Sequence, residues 1–445
     1  MLLWYYSLMQ NIPAKNKIII VLALLFAAGT AAFFWLSPKT GSDKNNAPAN
    51  SLLQNQSREE SQNNGQVQAQ DQPGSTAQSR TEETGQGQNQ NREEPDQDKV
   101  LKEKIGQMLI VGFRGTKIAD NSAIGGQIKN LNLGGVILFD YDNPSKSSPR
   151  NITGPAQTKE LVSGLQSFSS IPLFVSVDAE GGLINRLKTK YGFADFPSAQ
   201  NLGEKNDLNL TEQTADELGR ELKGLGFNVN FAPDVDVNVN PDNPVIGGLE
   251  RSFSGDPDKV AGQAMAFIKG LHKNNIISAI KHFPGHGSSQ NDSHLGLVDV
   301  TKTYQQKELI PFQKIIEQNQ ADMVMTAHIV NTDIDPDYPA TLSPLFLQSI
   351  LRKQLDYKGV IVSDDMQMGA IAKNYGFEDA VIRSINAGCD LLILSNNNDS
   401  YDENIASKAI DVIFEAAKDG RITAETINNS YSRILDLKKK FGLIK

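Results

Sequence analysis

Short apolar runs recur along residues 99–445, and longer segments with helical periodicity lie between several of them. Eight runs have the length of buried strands: residues 108–113, 135–139, 173–177, 228–232, 277–280, 322–326, 359–362 and 391–394. Apolar residues at three- and four-residue spacing predict helices over residues 161–168, 211–225, 260–272, 305–318 and 345–355. Repeated alternation of strand and helix predicts a parallel sheet. Eight repeats over about 347 residues favour a single closed (β/α)8 TIM barrel over a doubly wound open sheet.

A different pattern precedes this region. Residues 18–36 form an apolar run whose only polar side chain is Thr30, which is long enough to cross the roughly 30 Å hydrocarbon core of a bilayer. Lys15 and Lys17 precede the run, so we expect a signal anchor with residues 1–17 on the cytoplasmic side. This interpretation predicts a single-pass cell-membrane protein whose folded region, residues 99–445, is extracytoplasmic. Small residues at 28–32 also allow cleavage of a signal peptide, which would release a secreted protein.

Residues 37–98 are rich in Gln, Asn, Ser, Glu and Gly, and they contain ten acidic and five basic residues. Such a segment cannot bury enough apolar surface to offset chain entropy, so we predict a disordered linker. As a flexible coil it would span roughly 45 Å. About half of the net charge of −9 lies in this linker, and no basic patch suggests a nucleic-acid partner.

Polar side chains follow six consecutive predicted strands. In strand order these residues are Asp178, Asp234 and Asp236, Lys281 and His282, His328, Asp364, and Ser395 with Asn396. Because the active site of a (β/α)8 barrel is built at the carboxyl ends of its strands, we expect these groups to meet at one mouth.

Residues 281–294 hold three of the five histidines of the chain. Asp292 lies two residues before His294, where a carboxylate can bind one imidazole nitrogen and favour the protonated ring, which makes His294 a candidate general acid. One reaction that combines such an acid with a nucleophilic carboxylate is retaining glycoside hydrolysis, and Asp364 is the candidate carboxylate. Pro284 and neighbouring glycines prevent a helix, so His282 and His286 do not form a helical metal pair. We therefore predict no metal or other cofactor, and a metal-dependent hydrolase is kept as an alternative.

Several motifs in order resemble the bacterial single-domain β-N-acetylglucosaminidases of glycoside hydrolase family 3. They are Asp178-x-Glu-Gly-Gly, Asn230-Phe-Ala-Pro-Asp-Val-Asp-Val, Asn243-Pro-Val-Ile-Gly with Arg251-Ser-Phe, Lys281-His-Phe-Pro-Gly-His-Gly, Asp292-Ser-His and Val362-Ser-Asp-Asp-Met. The resemblance covers residues 99–445. It implies Asp364 as nucleophile, His294 as acid/base and Asp292 as the partner of His294 in a mobile loop. It further implies that five residues contact the first sugar: Asp178, Arg186, Arg251, Lys281 and His282.

Two positions depart from the family pattern. Leu183 stands where a polar residue is expected, and the segment before Arg251 looks about two residues longer. Larger family members carry a glutamate acid on a second domain, but only about 50 residues follow Leu394, so His294 is expected to supply the acid.

The predicted function is hydrolysis of terminal β-N-acetylglucosamine from peptidoglycan-type glycans or muropeptides, whose acidic groups would suit a cationic cleft. We expect a monomer. The alternatives are a family 3 β-glucosidase, an N-acetylglucosaminide phosphorylase and a non-catalytic glycan-binding module.

Overall fold

A closed barrel of eight parallel strands forms the centre of the computed structural model, which describes residues 96–445. In chain order the strands are β1 (Leu109–Gly112), β2 (Gly135–Ile137), β3 (Phe174–Val177), β4 (Val229–Asn230), β5 (Ile277–Phe283), β6 (Met323–Thr326), β7 (Val360–Asp365) and β8 (Leu391–Leu394). Each strand pairs with its neighbours in sequence, and β1 pairs with β8 to close the barrel. All eight predicted strands are present, and the barrel prediction is confirmed.

Helices cover the outside of the barrel. They are α1 (Gln97–Gln107), α2 (Ala123–Leu131), α3 (Pro155–Ser167), α4 (Ala199–Lys205), α5 (Leu208–Leu225), α6 (Pro257–His272), α7 (Ile310–Glu317), α8 (Gly369–Ala372), α9 (Phe377–Ala387), α10 (Ile405–Lys418) and α11 (Ala424–Lys440), with a π-helical segment at Leu345–Gln354. Because helices and the barrel interior cover both faces of the strands, burial is nearly continuous along each strand and does not alternate from residue to residue. The five predicted helical segments are confirmed, and the last is π-helical.

Helices α5 and α6 illustrate how local sequence sets these elements. The Asp207 carboxylate accepts hydrogen bonds from the first backbone N–H groups of α5, and Gly226 ends the helix with a φ of 92°. The two helices pack closely at Gly270, where a Cβ atom would lie 2.6 Å from the Cβ of Ala215. Glycine is therefore required there by the close approach of the helices.

Beyond β4 the chain stays extended alongside β5. The Val235 N–H donates to the Lys281 carbonyl over 2.8 Å, and Asp234 forms a bridge with Lys281. This contact brings Asp234 and Asp236 next to the end of β5, although both residues follow β4 by several positions.

The expected anchor at 18–36 lies outside the described residues, as does the linker up to residue 95. Within residues 96–445, no helix combines the length and apolar character needed to span a membrane. The described chain enters α1 at Gln97, two residues before the expected start of the folded region.

Asp390 joins several layers at the start of β8. Its fully buried carboxylate accepts hydrogen bonds from the Ile361 N–H, at 2.9 Å, and from Arg352, at 2.6 Å. Ser430 and Arg433 of α11 each donate to its other oxygen over 2.9 Å. The carboxylate thus ties the C-terminal helix and the π-helical segment to β7.

We predict that Asp390→Ala lowers the free energy of unfolding by about 3–5 kcal/mol, because it leaves Arg352, whose side chain is only 10% exposed, and the buried Ile361 N–H without their shared partner. Urea denaturation of the purified protein measures this change. Asp436→Ala is the matched control on α11: its side chain is 68% exposed and its ion pair with Lys439 spans 3.9 Å. The control should change the free energy of unfolding by less than about 1 kcal/mol, and equal effects of both substitutions would contradict the prediction.

Candidate active site

A cavity of about 330 Å³ lies at the carboxyl ends of the strands. Seven of the eight predicted site residues line it: Asp178, Arg186, Arg251, Lys281, His282, His294 and Asp364. The eighth, Asp292, hydrogen-bonds to His294. Residues more than 180 positions apart therefore meet at the barrel mouth, as the order of the strands predicts.

Glu180 is the centre of a buried ion cluster in this cavity. Arg251 donates to both carboxylate oxygens, with Nε 2.9 Å from Oε2 and Nη2 2.8 Å from Oε1, and Lys281 Nζ lies 2.6 Å from Oε1. Burial raises the pKa of Glu180, but the charges of Arg251 and Lys281 outweigh it and hold that pKa at about 2. The Glu180 carboxylate is therefore ionised, and it orients two cations.

The short hairpin that follows β3 positions Glu180. Its strands are Ala179–Gly181 and Ile184–Asn185, and Gly181 and Gly182 at the turn have φ values of 92° and 56°. A Cβ atom on Gly181 would lie 2.2 Å from the Pro197 carbonyl oxygen. The two consecutive glycines of the motif thus allow the tight turn that directs Glu180 into the barrel mouth.

Asp178 lies between two cations at the edge of the cavity. Lys281 Nζ donates to its Oδ1 over 3.1 Å, and Arg186 Nη2 is 3.7 Å from its Oδ2. Burial raises the pKa of Asp178, but the fields of Lys281 and Arg186 bring it below its usual range. The side chain is 17% exposed, so an ionised acceptor faces the cavity.

Both ring nitrogens of His282 have partners. Arg251 Nη2 is 3.2 Å from Nε2, and because a guanidinium only donates, Nε2 must accept. Nδ1 then carries the proton and donates to Asp236 Oδ2 over 2.7 Å. Burial, followed by the charge of Arg251, lowers the pKa of His282 well below its usual value. His282 lines the cavity as a neutral ring that positions Arg251.

One group of three candidate metal ligands occurs within residues 96–445: Asp234, Asp236 and His282. Arg251 already interacts with two of them, since its Nε is 3.3 Å from Asp234 Oδ2 and its Nη2 contacts the His282 ring. The guanidinium supplies the positive charge that a metal ion would bring. Burial together with the charge of Asp236 raises the pKa of Asp234 well above its usual value, which favours the protonated carboxyl group over a metal-binding carboxylate. For both reasons this group of three residues does not fit a metal ion.

Asp364 is held at the end of β7. The Asp365 N–H donates to its Oδ1 over 2.7 Å, and its own N–H donates to Thr326 Oγ1 over 3.4 Å. Burial raises the pKa of Asp364, but nearby imidazoles, that of His328 foremost, bring it below its usual range. His328 is itself fixed, because its Nε2 donates to the Asp365 carbonyl over 2.9 Å.

His294 and Asp292 form a pair on the long loop after β5. His294 Nδ1 and its backbone N–H each lie 2.8 Å from Asp292 Oδ1. Burial lowers the pKa of His294, but the hydrogen bond to Asp292 and the field of Asp364 raise it above its usual value. Because Asp292 holds the Nδ1 proton, protonation of the ring places the second proton on Nε2. The His294 side chain is 56% exposed.

The sequence matches the family model described as "Glycosyl hydrolase family 3 N terminal domain" over residues 100–437. The chain belongs to glycoside hydrolase family 3. Beta-hexosaminidase A of Pseudoalteromonas piscicida is 34% identical over 342 residues, which cover 70% of this chain and 54% of that protein. This chain therefore spans about half the length of that relative.

Two further similar proteins are a beta-hexosaminidase and a solved structure. The beta-hexosaminidase of Nitrosomonas eutropha is 35% identical over 309 residues, covering 67% of this chain and 83% of that protein. A glycoside hydrolase family 3 β-N-acetylglucosaminidase from Paenibacillus sp. str. FPU-7 has a TM-score of 0.70 and 35% identity, over 77% of this chain and 63% of that structure.

In this family 3 glycoside hydrolase, three charged residues of the cavity had no role in the sequence-based prediction. Glu180 belongs to the motif Asp178-x-Glu-Gly-Gly, but the motif gives no indication of its ion-pair partners. Asp140 directly follows the apolar run at 135–139 and is buried, so its position after a predicted strand could have identified it. Lys188 has its Nζ 2.8 Å from Asp140 Oδ2, and no sequence pattern points to that pair.

The expectation of a cationic cleft was wrong. The residues that line the family 3 cavity include five carboxylates and only four lysines or arginines: Asp140, Asp178, Glu180, Asp364 and Asp365 against Arg186, Lys188, Arg251 and Lys281. Each of these four cations lies within 4 Å of a carboxylate. The cations are paired because other strands supply the opposite charges, so the cavity has no excess of positive charge.

We predict that Glu180→Gln lowers kcat/KM by about 100-fold or more toward any aryl glycoside that the parent protein hydrolyses, because Arg251 and Lys281 lose their shared anionic partner. Steady-state kinetics measures the loss. Glu250→Gln, an exposed carboxylate next to Arg251 in sequence, is the control and should keep parental kinetics. Parental kinetics for Glu180→Gln would show that the ion cluster does not organise the cavity.

Proposed function

We propose that this chain is a retaining β-N-acetylhexosaminidase that removes terminal β-N-acetylglucosamine from peptidoglycan-type glycans or muropeptides. One observation carries the proposal: Asp364, at the end of β7, and the His294 side chain, which Asp292 holds on the loop after β5, line the same cavity. Retaining hydrolysis requires a nucleophile and an acid that flank the scissile glycosidic bond. The names of the similar proteins support the choice of sugar.

In the proposed first step, His294 donates its Nε2 proton to the glycosidic oxygen while an Asp364 oxygen attacks the anomeric carbon. The bond to the leaving alcohol breaks, and a covalent glycosyl-enzyme of inverted configuration forms. In the second step, neutral His294 takes a proton from water, and the resulting oxygen attacks the anomeric carbon. Asp364 leaves as a carboxylate, and the second inversion restores the β configuration.

The electrostatics of the site support these roles. A pKa below the usual range keeps Asp364 ionised, as a nucleophile must be. A raised pKa keeps His294 protonated closer to neutral pH, as an acid must be. An imidazole acid also becomes neutral after the first step, which avoids a second ionised carboxylate beside Asp364.

The ion cluster would bind the terminal sugar. In the proposal, Asp178 accepts hydrogen bonds from ring hydroxyl groups, while Arg186, Arg251 and Lys281 donate to sugar oxygens. His282 contributes by fixing the guanidinium of Arg251, since both its nitrogens already have partners. Paired charges suit a neutral polyhydroxylated ring, which presents donors and acceptors but no net charge.

The location and assembly of the protein stay predictions. We propose that residues 18–36 anchor the chain in the cell membrane, that the linker holds the domain outside it, and that the protein is a monomer. The basis for the membrane anchor is the apolar run that follows Lys15 and Lys17. An extracytoplasmic domain of this kind would meet cell-wall glycans, which is why we propose peptidoglycan-type substrates.

The full-length protein should hydrolyse 4-nitrophenyl β-N-acetylglucosaminide, and release of 4-nitrophenol measures the rate. Asp364→Asn should abolish turnover, because the amide is a poor nucleophile, and His294→Ala should lower kcat by about 100- to 10,000-fold. Hydrolysis of the β-glucoside alone would move the assignment to a β-glucosidase. Formation of a sugar phosphate with added phosphate would indicate a phosphorylase, and parental rates for both variants would refute the site assignment.

The pH dependence tests the pairing of Asp292 with His294. The alkaline limb of kcat/KM should report deprotonation of His294 in the free enzyme. Asp292→Asn removes the negative charge beside His294 and leaves only a neutral amide oxygen as hydrogen-bond acceptor, which lowers the pKa of His294, so this limb should move to lower pH. Asp299→Asn is the control, because its carboxylate binds Thr301 instead. An unmoved alkaline limb in Asp292→Asn would argue against His294 as the titrating acid.

A further inference from the structure

The loop that carries His294 packs against α8, the short helix that follows β7 and Asp364. The N–H of Gly369 donates to the His294 carbonyl over 3.2 Å, and the N–H of Ala370 donates to the Ser293 carbonyl over 3.1 Å. Lys373 Nζ donates to the Leu295 carbonyl, also over 3.1 Å. Three consecutive carbonyls of the loop are therefore bound by α8 and the residue that follows it.

Gly369 allows this close approach. A Cβ atom at this position would lie 2.5 Å from the His294 carbonyl oxygen and 2.9 Å from the Leu295 carbonyl carbon. Both neighbours are backbone atoms, so a side chain at position 369 requires the loop itself to move. The loop can therefore occupy this position only because residue 369 has no side chain.

The loop has little other anchorage beside His294. Leu295 is 72% exposed and Leu297 is 43% exposed, so burial of these side chains contributes little to seating. On the other side, His286 Nε2 interacts with Ser293 Oγ over 3.2 Å. Each of the two backbone hydrogen bonds contributes on the order of 1 kcal/mol, and the bond from the charged Lys373 contributes somewhat more, so the position of the loop depends on these few contacts.

We propose that Gly369 and Lys373 are positioning residues that seat the acid/base loop on the nucleophile's own segment and so fix His294 relative to Asp364. Gly369 follows Asp364 by only five residues, and the N–H of Met368, just before it, donates to the Asp365 carbonyl over 3.0 Å. The segment that ends the nucleophile strand thereby also sets the position of the acid. This inference rests on the proposed function, which assigns the acid role to His294.

Leaving-group dependence separates this role from a general structural one. A displaced acid should slow departure of a poor leaving group, which needs a proton, more than departure of dinitrophenolate, which does not. In the full-length protein, Gly369→Ala should lower kcat/KM at least about 10-fold for N,N′-diacetylchitobiose, but less than about 3-fold for the 2,4-dinitrophenyl β-N-acetylglucosaminide. Lys373→Met should act in the same direction with a smaller effect.

Gly376→Ala is the matched control, because a Cβ atom at Gly376 meets no heavy atom within 4 Å. It should leave both substrates at parental rates. His294→Ala is the reference for complete loss of the acid. If His294→Ala shows no leaving-group dependence, the proposed function fails. If His294→Ala shows it, while Gly369→Ala and Lys373→Met affect both substrates equally or not at all, the positioning role is overturned and the acid assignment stands.

A spectroscopic measurement reports the loop directly. The only cysteine, Cys389, is buried, so Leu295→Cys supplies one accessible thiol for a spin label. The label should become more mobile when Gly369→Ala is added, and it should keep its mobility when Gly376→Ala is added. Unchanged mobility in the Gly369→Ala protein would overturn the inference, whatever the activity of that protein.

Discussion

The shared carboxylate of Glu180 is the interaction on which the rest of the cavity depends. It lies between two buried cations, Arg251 and Lys281, which come from different parts of the chain. Arg251 in turn fixes the neutral tautomer of His282, and Lys281 orients Asp178. A buried charge without its partner is strongly destabilising, so each member of this network restricts the others to one arrangement. The charged groups that line the cavity are therefore fixed by one another rather than by a bound ligand.

The proposed acid/base is held in a different way. Asp364 is half-buried at the end of a barrel strand and its carboxylate is bound by the next backbone N–H, whereas the His294 side chain is more than half exposed on a long loop. A barrel strand gives precise placement, while a loop held by a few hydrogen bonds can yield to an entering glycan and then close. The proposed catalytic pair thus combines one residue fixed on a barrel strand with one whose position depends on the backbone contacts of its loop.

The fold was predictable because strands buried on both faces appear mainly as apolar runs. Five of the polar residues that follow those runs line the cavity: Asp178, Lys281, His282, Asp364 and Ser395. The partners within the cavity were less predictable. The interaction of Asp140 with Lys188 joins side chains from different loops, and no periodicity encodes it. The predicted cationic cleft failed for the same reason, since counting Arg186 and Lys281 as positive overlooks the carboxylate of Asp178, which lies between them. The net charge of the cavity thus depends on which residues from several strands and loops come together there, and it cannot be counted from one motif at a time.

The paired charges also constrain how a cell-wall fragment could bind. An acidic lactyl or peptide group inside the cavity would meet Asp140, Asp178 and Glu180 at close range, and the cations there already have partners. The free energy needed to desolvate another carboxylate there would exceed its attraction to cations that are already paired. The neutral N-acetylglucosamine ring suits the cavity, and acidic groups on the leaving side would have to remain outside it in solvent. Recognition would then depend on the hydroxyl groups of the terminal sugar, with the rest of the glycan selected by what the mouth tolerates.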